Sequence, residues 1–193
     1  MQRFKFLAML ALAFLASPSL ALAQDTAGTE RIKLPGIGAV DYQHLFTETS
    51  EPGETMDAFA ARLSPRLRAF SDETGFEACG VLATDGERFG AVIGSNRSHI
   101  ACANFSSKVP EGMRPTLQTI HSHGKERHFR ANRNDLALNG QAFAGERGLR
   151  GVAGQNLREF SELDYDGGAG YLATPEGTKH QAGYGTARTV HAH

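Results

Sequence analysis

Two histidines separated by one residue, His121 and His123, are the residues of this chain best suited to chemistry. They end the stretch LQTIHSH, whose composition and spacing predict a β-strand from Leu117 to His123. Positions i and i+2 of a strand point to the same side, so the two imidazoles are expected to project together, about 7 Å apart at the backbone. Two such imidazoles can share a zinc ion, which in a catalytic site takes three protein ligands and a water. The pair alone is also common in structural strands, so other residues must support the metal hypothesis.

Acidic and hydroxyl residues suited to complete the site lie on both sides of the pair. Glu77 stands in FEACGVL, at the start of a predicted strand. Ser161 and Asp164 stand in REFSELD, well beyond the second histidine, whereas Asp135, with Asn132 three residues before it, lies nearer and opens a predicted helix. The residues therefore leave two aspartates open as the third metal ligand.

The order of these motifs resembles the JAMM metallopeptidases, also called MPN or JAB. The resemblance is carried by E-x-C-G, HSH, FSELD and YLATPEG, and covers about Ala58 to Tyr184. It is closest to a bacterial branch of unknown function that is associated with toxin and Rhs-type proteins. The family implies a zinc ion that polarises the scissile carbonyl and activates a water.

The resemblance also implies a role for each residue of the motifs. A glutamate takes the proton of the activated water and delivers it to the leaving amine, and a serine helps to stabilise the tetrahedral oxyanion. The implied site consists of the metal ligands His121, His123 and Asp164, with Asp135 as the alternative third ligand, and of the catalytic residues Glu77 and Ser161.

Two departures from the family pattern have structural consequences. The Ser-x-x-Asp motif usually follows the histidines closely, so residues 124–158 would form a long insertion over the mouth of the active site. Gly124 stands where the family commonly has proline, which predicts a flexible loop after the second histidine.

The chain divides into four segments. Residues 1–23 carry two basic residues, an apolar run and an A-x-A site, as a secretory signal peptide does. Residues 24–53 are expected to form an extended lead-in, residues 54–186 a single JAMM-like domain, and residues 187–193 a flexible tail.

The pattern predicts an α+β domain, with a helix before a mostly antiparallel sheet of short strands. Helical spacing of apolar residues, Thr55 as a cap and Gly75 after the end predict one long helix, which Pro65 is expected to kink or split. A short helix is predicted near Asn134 to Phe143. The predicted strands are Phe76–Thr84, Arg88–Ser95, His99–Phe105, Leu117–His123, Tyr171–Thr174 and about Lys179–Ala182.

The net charge and the hydrophobicity of the chain limit the kinds of partner that it is expected to bind. The net charge of −1 gives no electrostatic reason to bind nucleic acid, and no integral membrane segment is expected after signal removal. In an exported chain Cys79 and Cys102 allow one disulfide, although two unpaired buried cysteines remain the alternative.

A basic stretch follows the histidine pair and leaves two interpretations open. Its cations, Lys125, Arg127, Arg130 and Arg133, either cover a solvated loop or form a clamp for substrate carboxylates, such as those of cell-wall stem peptides.

The sequence thus predicts a periplasmic or secreted zinc-dependent peptidase or isopeptidase that acts on a peptide or protein, such as a cell-wall peptide. The alternative is a catalytically inactive JAMM-like binding or scaffold module of the cell envelope. These differ in whether an aspartate lies within reach of both histidines.

Overall fold

The computed structural model describes residues 28–124, 129–140 and 156–192. One eight-stranded sheet consists of β1 (Thr29–Leu34), β2 (Gly38–Thr49), β3 (Ala78–Thr84), β4 (Phe89–Ser95), β5 (Arg114–Ser122), β6 (Gly170–Thr174), β7 (Gly177–Gln181) and β8 (Arg188–Ala192). The helices are α1 (Met56–Thr74), α2 (Arg133–Asn139) and α3 (Glu162–Asp166). The strand order is β1-β2-β4-β3-β5-β6-β7-β8, and all neighbouring pairs are antiparallel except β5 with β6. The predicted α+β class is confirmed.

The long helix α1 begins and ends as its sequence predicts. The Thr55 hydroxyl accepts a hydrogen bond from the amide of Ala58 (3.2 Å), and Gly75 ends the helix in the left-handed conformation that glycine adopts without strain. Pro65 was expected to kink or split the helix, and the split is wrong, because α1 runs through it. Pro65 lies on the exposed side, where water can satisfy the carbonyl that loses its amide donor.

One face of the sheet packs on α1, and this contact forms the main core. The helix contributes Phe59, Leu63 and Leu67, and the strands contribute Ala78, Leu82, Ala91, Ile93, Ile120, Tyr171 and Ala173, all buried. The opposite face of the sheet is therefore left to the irregular segments, and this is where the predicted chemistry lies.

Both ends of the described chain belong to the sheet, which corrects two predictions. The supposed lead-in, residues 24–53, contains β1 and β2, and the supposed tail, residues 187–193, contains β8. Both outermost strands are short and largely exposed, so their side chains show little hydrophobic alternation. Residues 1–23, the predicted signal peptide, lie outside the described residues. Within the described residues no helix has the length and apolar character needed to span a membrane.

The predicted strand His99–Phe105 is instead an irregular segment held by a disulfide. Cys102 bonds to Cys79 on β3, as the single allowed pairing predicts. Cys79 lies opposite His121 in the register of β3 and β5. The disulfide therefore anchors this segment directly beside the histidine pair.

Removing the disulfide is expected to destabilise the fold. For a sequence separation of 23 residues, loop-closure entropy predicts that the double variant Cys79→Ala/Cys102→Ala loses about 3 kcal/mol of unfolding free energy. Urea unfolding of the oxidised protein, the reduced protein and the double variant measures this. Equal unfolding midpoints for all three would show that the disulfide contributes nothing to stability.

Candidate metal site

Three side chains meet at one end of β5. The Nε2 atoms of His121 and His123 lie 3.3 Å apart, His121 Nε2 lies 3.1 Å from Asp164 Oδ1, and His123 Nε2 lies 3.2 Å from Asp164 Oδ2. These three residues form a group that could hold a metal ion. The predicted same-side arrangement of the histidines is thus present, and Asp164 lies within reach of both.

The contacts between the three side chains are close to the spacing of ligands around a tetrahedral metal. Zinc–nitrogen and zinc–oxygen bonds of about 2.0–2.1 Å place two ligands of a tetrahedron roughly 3.3–3.4 Å apart. The observed contacts of 3.1, 3.2 and 3.3 Å are near that value, with His121 approaching Oδ1 of Asp164 and His123 approaching Oδ2. One oxygen of Asp164 and the two ring nitrogens therefore lie close enough together to hold a metal ion.

The protonation of His123 leaves its Nε2 atom free to bind a cation. Its Nδ1 atom lies 2.7 Å from the carbonyl oxygen of Asn156, which can only accept a hydrogen bond, so Nδ1 carries the proton. In the neutral ring Nε2 then presents its lone pair to His121 and Asp164. Lone pairs and a carboxylate facing one another at this distance require a proton or a cation between them.

Asp164 is oriented by the residue that caps its helix. Ser161 is the N-cap of α3, and its backbone amide (2.6 Å) and hydroxyl (2.8 Å) both donate to Asp164 Oδ2. Burial alone would raise the pKa of Asp164, but when protons rather than a metal ion lie between the rings and the carboxylate, hydrogen bonds and charge from His121 and His123 outweigh it and hold that pKa well below its usual range. The carboxylate is therefore ionised, as a metal ligand must be.

The contacts of Ser161 differ from the implied role of an oxyanion donor. Its hydroxyl proton is committed to Asp164, while its oxygen accepts from the amide of Asp164 (3.3 Å). In this arrangement Ser161 orients a ligand.

Two buried residues that the sequence did not single out also hold the site together. Arg68 of α1 donates from Nη1 to the backbone carbonyl of His123 (2.8 Å), and Gln181 of β7 donates to the carbonyls of Asp164 and Gly168. Arg68 could have been recognised as a charge on the apolar face of α1. Gln181 carries no such signal, because only the sheet topology brings β7 under α3.

Glu77 lies on the same face of the sheet as the ligands. Cys79 is the partner of His121 across β3 and β5, and partners across antiparallel strands share a face. Glu77 comes two residues before Cys79 and so belongs to that face as well. It is 4 % exposed and lines the same cavity as His121, Ser161 and Asp164.

That cavity, of about 170 Å³, gives the group access to solvent. The side chains of His121 and Asp164 are 11 % and 19 % exposed, whereas His123, at 1 %, lies behind them. A metal ion held by these residues would be accessible from the cavity, and Glu77 would lie in the wall of that cavity.

Asp135, the alternative third ligand, lies elsewhere and has a structural role. Its carboxylate accepts hydrogen bonds from the Ser98 hydroxyl (2.7 Å), the His99 amide (2.7 Å) and the Asn132 amide (2.8 Å), and contacts His99 Nδ1 (2.9 Å). With Asn132 as N-cap it forms the capping box of α2. The alternative is therefore wrong: these bonds use both oxygens of Asp135, and the metal group contains Asp164.

Asp135→Asn is expected to lower stability and leave the metal in place. Although burial alone would raise the pKa of Asp135, hydrogen bonds from His99, Asn132 and Ser98 lower it below its ordinary value. A lowered pKa stabilises the folded state above about pH 4 and loses that effect as pH falls further. We expect a loss of about 2–3 kcal/mol at pH 7 that shrinks below pH 4.

Urea unfolding of both proteins at pH 7 and pH 3.5, with zinc content measured at pH 7, checks this prediction. If the variant had normal stability but no zinc, Asp135 would have to be a metal ligand after all.

The residues just after the histidine pair also differ from expectation. A Cβ atom on Gly124 would lie 2.4 Å from the carbonyl oxygen of Gly75 and 2.6 Å from that of His99, so Gly124 allows close backbone packing. The loop predicted to be flexible continues into residues that the structure does not describe. Arg133 donates to both carboxylate oxygens of Asp41 (2.7 and 2.8 Å) and is engaged there. Residues 125–128 and 141–155 of the expected insertion lie outside the described residues.

Comparisons of the chain with protein-family models, curated proteins and solved structures found no match. The resemblance to the JAMM family therefore stays a prediction from the motifs, and function has to be argued from the geometry of the site.

Proposed function

We propose that this chain is a zinc-dependent peptidase or isopeptidase with a JAMM-like core. The observation that carries the proposal is the convergence of His121, His123 and Asp164, with contacts of 3.1–3.3 Å, at a cavity that the buried Glu77 also lines. Two histidines and an aspartate within reach of one metal ion, with a second acid in the wall of the same cavity, are what a zinc hydrolase needs.

The donor set favours zinc among common metals. Two imidazole nitrogens and one carboxylate oxygen suit a borderline ion in tetrahedral geometry, whereas magnesium and calcium prefer sites made of oxygen atoms. When bound, zinc lowers the pKa of a water ligand to about 7 and polarises a substrate carbonyl.

Glu77 is the proposed general base and acid. Its carboxylate accepts the proton of the attacking water and then donates it to the amine that leaves. Because Glu77 is buried in a cavity wall, the proton stays near the reacting atoms, and a positioned group of this kind typically contributes about 100- to 10,000-fold in rate.

The surrounding residues keep the ligands in place before substrate arrives. Ser161 fixes the carboxylate of Asp164, the Asn156 carbonyl fixes the tautomer of His123, and Arg68 holds the His123 backbone. Such outer contacts are typically worth about 10- to 100-fold in metal affinity or activity.

The proposed place of action is the periplasm or beyond. Support comes from the signal-like residues 1–23 and from the Cys79–Cys102 disulfide, which suits an oxidising compartment. Peptide bonds of envelope proteins or of cell-wall stem peptides are the substrates within reach there.

The test is zinc-dependent hydrolysis. Mature protein, either stripped with a chelator or reloaded with one equivalent of zinc, is incubated with a peptide mixture and with purified cell-wall peptides, and new termini are detected by mass spectrometry. New termini that form only with the zinc-loaded protein support the proposal. Zinc-loaded protein that cleaves nothing would favour the catalytically inactive binding module instead.

A further inference from the structure

The cavity beside the ligand group is lined by chemically different side chains. Glu77, His121, Ser161 and Asp164 contribute polar groups. Four other lining residues are apolar and are here called the apolar wall: Ile100, Ala101, Phe160 and Leu163. A molecule whose reacting bond lies at the polar groups has these apolar side chains within the same cavity.

Phe160 of the apolar wall belongs to a series of neighbouring aromatic rings. The Phe160 ring lies 6.2 Å from the His121 ring and 5.8 Å from that of Tyr165, and Tyr165 stacks on Tyr184 at 4.6 Å. The Tyr184 hydroxyl is within 3.3 Å of Asp166. Phe160 of the apolar wall is therefore close both to the candidate metal ligand His121 and to the stacked rings of Tyr165 and Tyr184.

Leu163 is the most exposed residue of the apolar wall. It is 60 % exposed although it lies on α3 directly before Asp164, and Tyr184 nearby is 64 % exposed. An exposed leucine that lines a cavity is better placed to contact a ligand than a single exposed leucine elsewhere on the surface.

The charges around the cavity disfavour an acidic ligand. Among the described residues that line it, Glu77 and Asp164 are acids and none is lysine or arginine. Glu162 and Asp166 add exposed acids on the same short helix. A bound zinc ion would balance the charges of Glu77 and Asp164 but leave none of the described lining residues to pair with a substrate carboxylate, so these residues favour an uncharged side chain.

We propose that the apolar wall is a specificity subsite that accepts an uncharged apolar side chain next to the bond that is cleaved. This inference rests on the proposed zinc site and names its substrate class: peptides with an aliphatic or aromatic residue beside the scissile bond.

Hydroxamates with different side chains test the subsite without requiring turnover. Zinc-loaded protein is titrated calorimetrically with the hydroxamates of acetyl-glycine, acetyl-leucine and acetyl-aspartate, which share one zinc-binding group. The leucine compound is expected to bind about tenfold more tightly than the glycine compound, as an apolar pocket typically discriminates, and the aspartate compound no more tightly than glycine.

A matched pair of variants locates the effect. Leu163→Ser is expected to reduce the leucine advantage to about twofold, whereas Leu136→Ser, the same change at a 51 % exposed leucine of α2, should preserve it. Equal affinity for the leucine and glycine compounds, or an advantage that Leu163→Ser leaves intact, overturns the subsite.

Failure of the subsite and failure of the proposed function give different results. If the protein cleaves peptides without preferring apolar residues, the proposed hydrolase activity is supported and the subsite is wrong. If it prefers the leucine hydroxamate but cleaves no peptide, the subsite is supported and the hydrolase activity is wrong.

Discussion

His121→Ala is expected to reduce zinc affinity by more than about 100-fold, since even the loss of an outer partner of a ligand costs roughly 10- to 100-fold. The variant leaves only His123 and Asp164, and two ligands do not make a stable zinc site. Competition with a chromophoric chelator measures the affinity, and hydrolysis of peptides should disappear with the metal.

Two further variants make the result specific to this site. His121→Gln keeps most of the side-chain volume in the sheet and should lose zinc as well, which separates ligand loss from a packing defect. His180→Ala removes another strand histidine, one that contacts Gln118 (3.0 Å) outside the metal group, and should bind zinc normally. Normal zinc affinity in the His121→Ala variant would show that His121 is not a zinc ligand.

Glu77→Gln is expected to keep zinc and lose about 100- to 10,000-fold in hydrolysis rate. The amide has the shape of the carboxylate but cannot take a proton from water, so binding and chemistry should separate. Zinc titration and peptide cleavage by the same preparation measure the two effects.

Glu162→Gln provides the matched control, because it makes the same change at an exposed acid of α3. It should leave the hydrolysis rate within about twofold of the original, as expected for a surface change. Loss of zinc from the Glu77→Gln protein would show that Glu77 is a metal ligand. Cleavage at the normal rate would show that Glu77 takes no part in the reaction.

The positions of His121, His123 and Glu77 could be predicted from the sequence, because strand geometry determines on which side each residue lies. The alternation of side chains along a strand is enough to put His121 and His123 on one side, and the position of Glu77 relative to Cys79 follows the same period.

The third ligand was not decided by local sequence. Asn132-x-x-Asp135 and Ser161-x-x-Asp164 both form capping boxes at the start of short helices, so the two aspartates look equivalent along the chain. The parallel pairing of β6 with β5 brings α3, which precedes β6, next to the histidines. No periodic pattern encodes that pairing.

The irregular and outer segments were harder to predict for a different reason. His99–Phe105 resembles a strand because some of its side chains turn inward, with Ile100 buried and Cys102 bonded to Cys79. The outermost strands β1 and β8 are stabilised by pairing along one edge rather than by burial, so hydrophobicity alone could not reveal them.

The most direct measurement of the central claim is anomalous diffraction at the zinc absorption edge from crystals of zinc-loaded protein. We expect one peak between the side chains, about 2.0–2.2 Å from His121 Nε2, His123 Nε2 and an Asp164 carboxylate oxygen. Zinc located at other residues, or crystals of zinc-loaded protein without a peak at these three, would contradict it.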